Sequence, residues 1–337
     1  MKPQLFLAAL LVQFLVAGQT SIEQSHCAEF DESAIVKAIP NRLDQVDSVI
    51  SAAVAQGKHV CAGMLLGKAA ALLSVHGRIR DSEAFAARSL DLLRKNVDPG
   101  DPRLLRPLHV LATAMLEQGK FGKAEQAFQQ MLQLRAERPE QRGQIHITGG
   151  ALRQIQGKWK EAESEYLLAY EELTGTAADA DAAAALHYLG ALYITERRFQ
   201  EASQVLDRAL AIVAVAENAI PLDRVLILND RAVAHARQRE WPAAQEKWHL
   251  AIAIADNAGV PETVLRALLN NYSAALRKNH HRREARVVER RASALHRDPA
   301  AGAVVDVREL SGISIKKPNS PLTESFRRRR KLMSEVR

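Results

Sequence analysis

The sequence predicts an all-α fold built as a stack of helix-turn-helix pairs, and three observations carry that prediction. Ala and Leu abound while aromatics make up 5% of the 337 residues, a composition suited to closely packed helices rather than a sheet-on-sheet core. An apolar or aromatic residue followed three places later by a small one recurs as Ile79 with Ser82, Phe121 with Ala124, Trp159 with Ala162, Phe199 with Ala202 and Trp241 with Ala244, and a degenerate sixth copy sets Arg282 before Ala285. Successive starts lie 42, 38, 40, 42 and 41 residues apart, the near-constant period of a repeat architecture.

Each element of the repeat has a physical reason. Nine residues before the start stands a small residue in every copy, Ala70, Ala112, Gly150, Gly190, Ala232 and Ser273, so two helices approach closely there. Two residues before the start, Gly77, Gly119 and Gly157 permit a tight turn between helices, while Arg197, Arg239 and His280 hold that place in the later copies. Seven residues after the Ser/Ala position come Ser89, Met131, Ala169, Ala209, Ala251 and Ala292, on one helical stripe with Ala86, Phe128, Tyr166, Leu206 and Trp248. Pro99, Pro102, Pro139, Pro221 and Pro261 fall in the connections after second helices, where proline ends one unit and admits the next. One pair cannot bury its apolar stripe alone, so neighbours must stack into a superhelix.

The pattern resembles the tetratricopeptide repeat family over roughly residues 60–296, and its long period resembles the kinesin-light-chain-type variant. Leu189-Gly190-Ala191-Leu192-Tyr193 followed by Phe199-Gln200-Glu201-Ala202 and Leu206 carries the resemblance most closely. It implies a right-handed superhelix, an α-solenoid of about six repeats, with ligands held in the concave groove of the first helices. The sequence departs from the family pattern at Arg231, Arg282 and Glu289, where apolar or aromatic residues are usual.

Four segments follow from this pass. Residues 1–18 read as a secretory signal: Lys2, an apolar run from Leu5 to Val16 broken by Gln13, and Gly18 before an expected cut at Gln19. That run is short of the roughly 20 apolar residues of a spanning helix. Residues 19–58 form an arm and capping helices around Ile35, Leu43, Val46, Val49 and Ile50, interrupted at Pro40. Residues 59–296 are the repeat domain. Residues 297–337, with Gly302, Gly312, Pro318 and Pro321 and no sustained helical period, read as a basic, disordered tail ending in Arg327, Arg328, Arg329, Arg330 and Lys331. An exported chain with two cysteines is expected to join them, Cys27 to Cys61, tying the arm to the first pair.

The formal charge of +7 divides unevenly, since residues 277–337 hold 17 Lys/Arg against 7 Asp/Glu. A basic end on a mildly acidic body points to an electrostatic contact at that end rather than to a basic nucleic-acid binder. With no aromatics among the basic residues beyond Phe326, nothing stacks bases, and no specific nucleic-acid partner is expected.

For binding, the resemblance places Asn229, Asp230, Asn270 and Asn271 on the concave face. Their amides suit an extended peptide backbone, and Arg237, Arg277 and Lys278 on the same face suit a carboxylate. The Lys/Asn/Asn/Lys/Arg clamp of part of the family is absent as a set, because Ile147, Thr148, His187 and Tyr188 hold those first-helix positions in the middle copies. A solvated polar face without a ligand is the competing reading of the same residues.

The chain contains no HExxH, GxSxG, Walker or GxGxxG motif, so catalysis, a cofactor and a small-molecule substrate are not expected. Ser314-Ile315-Lys316-Lys317 fits SxxK without its companion motifs. His280, His281 and Glu284 sit in the most basic stretch, where like charge disfavours a metal, and none is expected. The expected function is a non-enzymatic adaptor, periplasmic or extracellular, holding a segment of another protein in its groove. The alternative is a tether that meets an anionic surface or polyanion through the basic C-terminal region.

Overall fold

The computed structural model describes Cys27 and residues 43–176, 179–217 and 219–295. The expectations for residues 1–18, for most of the arm and for the tail with Arg327 to Lys331 fall outside the described residues. Within them run thirteen α-helices, joined by turns and one 3-10 turn at Pro102–Leu104, with no strand. Helix α1 (Leu43–Ala55) precedes six pairs: α2 (His59–Val75) with α3 (Ile79–Arg94), α4 (Leu105–Glu117) with α5 (Phe121–Met131), α6 (Pro139–Ile155) with α7 (Trp159–Leu173), α8 (Asp179–Glu196) with α9 (Phe199–Val213), α10 (Pro221–Arg237) with α11 (Trp241–Ala258), and α12 (Glu262–Lys278) with α13 (Arg282–Ala294).

Each second helix begins at the residue that marks the repeat. The turn before it needs one left-handed residue, and all six copies supply it: Gly77, Gly119 and Gly157 at φ 74°, 72° and 76°, then Arg197, Arg239 and His280 at 66°, 65° and 64°. The three side-chain-bearing residues adopt this conformation at a cost of about 1 kcal/mol each. Proline opens α6 and α10 at their first residue, where its missing N–H costs nothing.

Packing within a pair rests on the small positions. Ala124, Ala162, Ala202, Ala244 and Ala285 are sealed from solvent, as are Ala169, Ala209 and Ala251 one stripe further on. A Cβ built on Gly150 would stand 2.5 Å from the Tyr166 ring, and one on Gly190 2.6 Å from Leu206. In the first pair hydroxyls bind the facing backbone directly, Ser82 Oγ donating to the Ala70 carbonyl at 2.8 Å and Ser89 Oγ to the Gly63 carbonyl at 2.6 Å.

Between pairs, every first helix from α4 to α12 seats against both helices of the preceding pair. Successive first helices touch one another, whereas successive second helices make no comparable contact, so the stack curves with its first helices inside. Their burial shows the same asymmetry. Every residue of α8 from Ala180 to Tyr193 is buried, while α9 buries a single stripe of Ala202, Leu206, Ala209 and Val213.

Two departures from the repeat pattern have local explanations. Arg231 reaches across to α9, donating from Nε and Nη2 to the two carboxylate oxygens of Asp207 at 2.6 and 3.0 Å and from Nη1 to Ser203 Oγ at 3.0 Å. Glu289 replaces the large apolar residue of the sixth pair and accepts both arms of Arg277 at 2.5 Å. At the other end Cys27 and Cys61 are joined, with Cα atoms 5.6 Å apart and both residues packed with Val46 and Ile50. Closing this 34-residue loop is worth about 3 to 4 kcal/mol in the chain-entropy model. No helix among the described residues is long and apolar enough to cross a membrane.

Two glycine substitutions should therefore move stability in opposite directions. Gly150→Ala is expected to lose about 1 to 2 kcal/mol, because overpacking against Tyr166 outweighs the gain in helix propensity. Gly122→Ala in α5, where a Cβ meets nothing within 4 Å, is expected to gain about 0.5 to 1 kcal/mol. Urea unfolding midpoints of both variants check the pair of signs.

Candidate functional site

The inner layer of first helices is the surface the curvature turns into a groove. Its centre is occupied by a repeating polar rung. The residue twelve places before a second-helix start meets the residue eleven places before the next one. His109 Nδ1 lies 2.7 Å from Thr148 Oγ1, His187 Nε2 lies 3.0 Å from Asp230 Oδ2, and Asn229 Oδ1 accepts from Asn271 Nδ2 at 3.0 Å. Thr148 spends its hydroxyl hydrogen on the Gln144 carbonyl at 3.0 Å, so the His109 Nδ1–H is the donor in the first rung.

The last two rungs are one network. Asn229 Oδ1 also accepts from Trp248 Nε1 at 3.2 Å, and Asn229 Nδ2 donates to Asp230 Oδ1 at 3.0 Å, so a single chain of bonds links α8, α10, α11 and α12. His187, Asn229, Asp230 and Asn271 are all buried. Burial in a low dielectric strengthens each bond and makes each loss expensive.

Of the sequence-predicted patch, the structure thus brings Asn229, Asp230 and Asn271 into mutual contact and commits their side chains to the joints between repeats. Asn270 is buried beside them, its backbone carbonyl accepting from Ser273 Oγ at 3.0 Å. Arg277 lies apart from this network and turns to Glu289 on α13.

Arg237 and Lys278 stand at the C-terminal ends of α10 and α12, and Arg197 in the turn after α8 completes a row of cations across three successive repeats. Burial, and then the Arg197 charge, pull Arg237 below the usual arginine range; burial, and then the Arg237 charge, do the same to Lys278. The cations sit where helix dipoles favour positive charge.

Carboxyls occupy the opposite edge, which the sequence reading missed. Asp181 and Asp223 hold the same repeat position, eighteen residues before the second helix, near the N-termini of α8 and α10. Burial, and then the neighbouring Asp223, push the Asp181 carboxyl up to about 8. Burial likewise raises Asp223 to about 6, against the pull of the Ile220 N–H that its carboxylate accepts at 2.9 Å. Glu117, at the C-terminal end of α4 in the repeat position of Arg237 and Lys278, lies on the cationic edge instead, and burial raises it to about 8. Burial thus favours the protonated form of both Asp181 and Glu117, which offers an O–H donor as well as acceptors.

With this geometry in hand, the comparisons agree on the architecture. Residues 61–137, the first pair but for its first two residues and the whole of the second, match the sequence model of the tetratricopeptide repeat family. That segment carries tetratricopeptide repeats. The solenoid is similar to a Rap protein in complex with competence and sporulation factor, at 18% identity over 80% of this chain and 72% of that one, with a TM-score of 0.59. It is similar also to NprR in complex with its cognate peptide NprX, at 16% identity over 94% and 87% of the two chains and a TM-score of 0.55. BtubC (BKLC) from P. vanneervenii aligns at 21% identity over 67% of this chain and 96% of that one, with a TM-score of 0.52. At these identities the likeness is one of fold. No curated protein sequence matches the chain.

The rungs of this tetratricopeptide-repeat solenoid give a direct test. Asn229→Ala leaves the Trp248 indole N–H, the Asn271 amide and one Asp230 oxygen each short of a bond, and is expected to cost about 2 to 4 kcal/mol. Chemical denaturation of the free protein should show that loss, with no ligand added.

Proposed function

We propose that the protein is a non-catalytic adaptor that holds an extended segment of a partner protein across the first-helix layer, with carboxylates of that segment on the row Arg197, Arg237 and Lys278. The observation that carries this reading is the row itself. Three cations from three successive repeats follow one another along one edge of the first-helix layer, and a row of positive charge suits a segment that carries carboxylates. Asp181 and Asp223 lie buried beneath the opposite edge and shape it. Two structures of similar fold, that of Rap with competence and sporulation factor and that of NprR with its cognate peptide, support a peptide-like occupant. Asn229, Asp230, Asn270 and Asn271 lie behind this surface and shape it, and Arg277 belongs to the end of the stack.

We assign the protein to an exported compartment, periplasmic or extracellular. The signal-like residues 1–18 support this, and the Cys27–Cys61 bond is compatible with an oxidising environment. A second reading keeps the repeats as a spacer and uses residues 277–337, with their 17 Lys/Arg, to meet an anionic surface. The disposition of charge at α13 favours giving that end a binding role.

Selection from a random peptide library on the immobilised chain distinguishes the readings. Enriched peptides are expected to carry carboxylates and to lose affinity about ten-fold against Arg237→Ala/Lys278→Ala, the loss of one or two charge-assisted contacts. Peptides that bind this variant as well as the parent, or that are lost when the chain is stopped at His296, would remove recognition from the groove.

A further inference from the structure

Each first helix from α4 to α12 lies in the trough between the two helices of the preceding pair. The sixth pair has the same trough, about 1360 Å³ between α12 and α13, and no described helix follows to fill it. What distinguishes it is charge.

In the first four pairs the residue four places into the second helix meets a cation of the next repeat, on its first helix or in the turn that follows it. Glu83 meets Lys120 in that turn at 3.2 Å, Glu125 meets Arg153 on α6 at 3.6 Å, and Glu163 meets Arg198 in the turn after α8 at 2.9 Å, the last bond holding the Glu163 carboxyl below its usual range. In the fourth pair Ser203 takes that place and, with Asp207 four residues on, binds Arg231 of α10. The fifth pair sets the neutral Gln245 there, against Tyr272. Across the first four joints, then, an acid or hydroxyl of the second helix meets a cation of the next repeat.

The sixth pair reverses it. Arg286 stands where Glu83, Glu125 and Glu163 stand, and Arg290 where Asp207 stands. Both line the trough with Lys278 and Arg283, and among its lining residues the carboxylate is that of Glu289, held by Arg277. Arg283, Arg286 and Arg290 share one helical face, with Val287, 57% exposed, beside them.

We propose that this trough docks an acidic amphipathic helix of a partner protein, seated as a seventh first helix with its carboxylates against Arg286 and Arg290. The seat has the shape that five helices of this chain already fill, and the arginines on it select a helix that brings carboxylates to that face. Charge argues against the other occupants. Residues 296–337 carry ten Lys/Arg against five Asp/Glu, and α13 of a second copy would bring the same arginines. This surface meets the groove at Lys278, but Arg286 and Arg290 define it and Arg197 and Arg237 do not line it, so either assignment can fail without the other.

The test uses the full chain and a fluorescein-labelled, lactam-stapled helical peptide with the sequence of residues 221–240 carrying Arg231→Glu, Arg237→Glu and Arg239→Glu. The unaltered peptide, stapled in the same way, is the control. Fluorescence anisotropy at low salt is expected to show binding of the acidic peptide and about ten-fold weaker binding of the control, with the difference shrinking as salt rises. Arg286→Glu/Arg290→Glu in the protein should lower affinity for the acidic peptide about ten-fold, whereas Arg135→Ala, at an exposed arginine outside the trough, should leave it unchanged. Both arginines are exposed, so the melting temperature of the double variant serves as the check that it folds. Equal binding by the double variant, equal binding of the two peptides, or absence of binding would overturn the proposal. So would retention of heparin or anionic vesicles through the same arginines with no peptide bound, or self-association of the chain that the double variant abolishes.

Discussion

The four inner pairs of this solenoid each depend on one close approach, in which a bulky side chain of the second helix lies over a residue of the first helix that has little or no side chain. Tyr166 over Gly150 and Leu206 over Gly190 show how little room remains, since a single Cβ would arrive 2.5 to 2.6 Å from the ring or the methyl carbons. Phe128 and Trp248 hold the same place on α5 and α11 and are buried as deeply. Because first and second helices are drawn together so tightly, the next pair finds a defined trough to sit in. The curvature, with first helices inside, then follows from repetition of one joint. The end pairs differ: the first has Ala86 in the bulky place and joins its helices through Ser82 and the Ala70 carbonyl, and the sixth departs in another way. Ser273 and Glu289 stand where the small and bulky residues would be, and Glu289 spends its charge on Arg277 instead of filling a core.

That packing decides which surfaces are left for recognition. First helices are enclosed by their own partner and by both neighbouring pairs, so their central polar side chains are drawn into rungs between repeats. A rung such as Asn229 with Asn271 and Asp230 specifies which helix meets which, because a slip of one residue would strand buried donors and acceptors. The C-terminal ends of the later first helices remain, basic in accord with the helix dipoles. So does the last trough, where no further pair is described. A repeat fold sets the shape of such surfaces and leaves the ligand to the side chains on them.

Much of this was legible in the sequence, for a physical reason. The small and bulky positions are fixed by contacts inside a pair, sixteen residues apart as in Gly150 with Tyr166, and a constant spacing survives as a period. All six second-helix starts and the Cys27–Cys61 bond were therefore readable. The turn residues show that geometry can persist when its most permissive residue is lost: Arg197, Arg239 and His280 keep the left-handed conformation of the earlier glycines. The candidate site was harder to read. Asn229, Asp230 and Asn271 share a face, as periodicity indicated, but whether a polar side chain on that face meets a ligand or the next helix depends on the distance between helices, which a one-chain pattern does not encode. Arg277 was misplaced for a related reason, since its partner Glu289 occupies a position the pattern reserves for an apolar residue. Asp181 and Asp223 escaped because they lie near the helix starts, outside the motif, although their shared repeat position was visible.

The account stands or falls on the first-helix layer being the rigid inner spine of the stack. Hydrogen-deuterium exchange of the full chain measures this directly, helix by helix. The amides of α6, α8 and α10 are expected to exchange slowest, those of α7, α9 and α11 faster, and those of α13, which has no following pair among the described residues, fastest of the thirteen. First helices that exchange as quickly as α13, or second helices that outlast them, would contradict it.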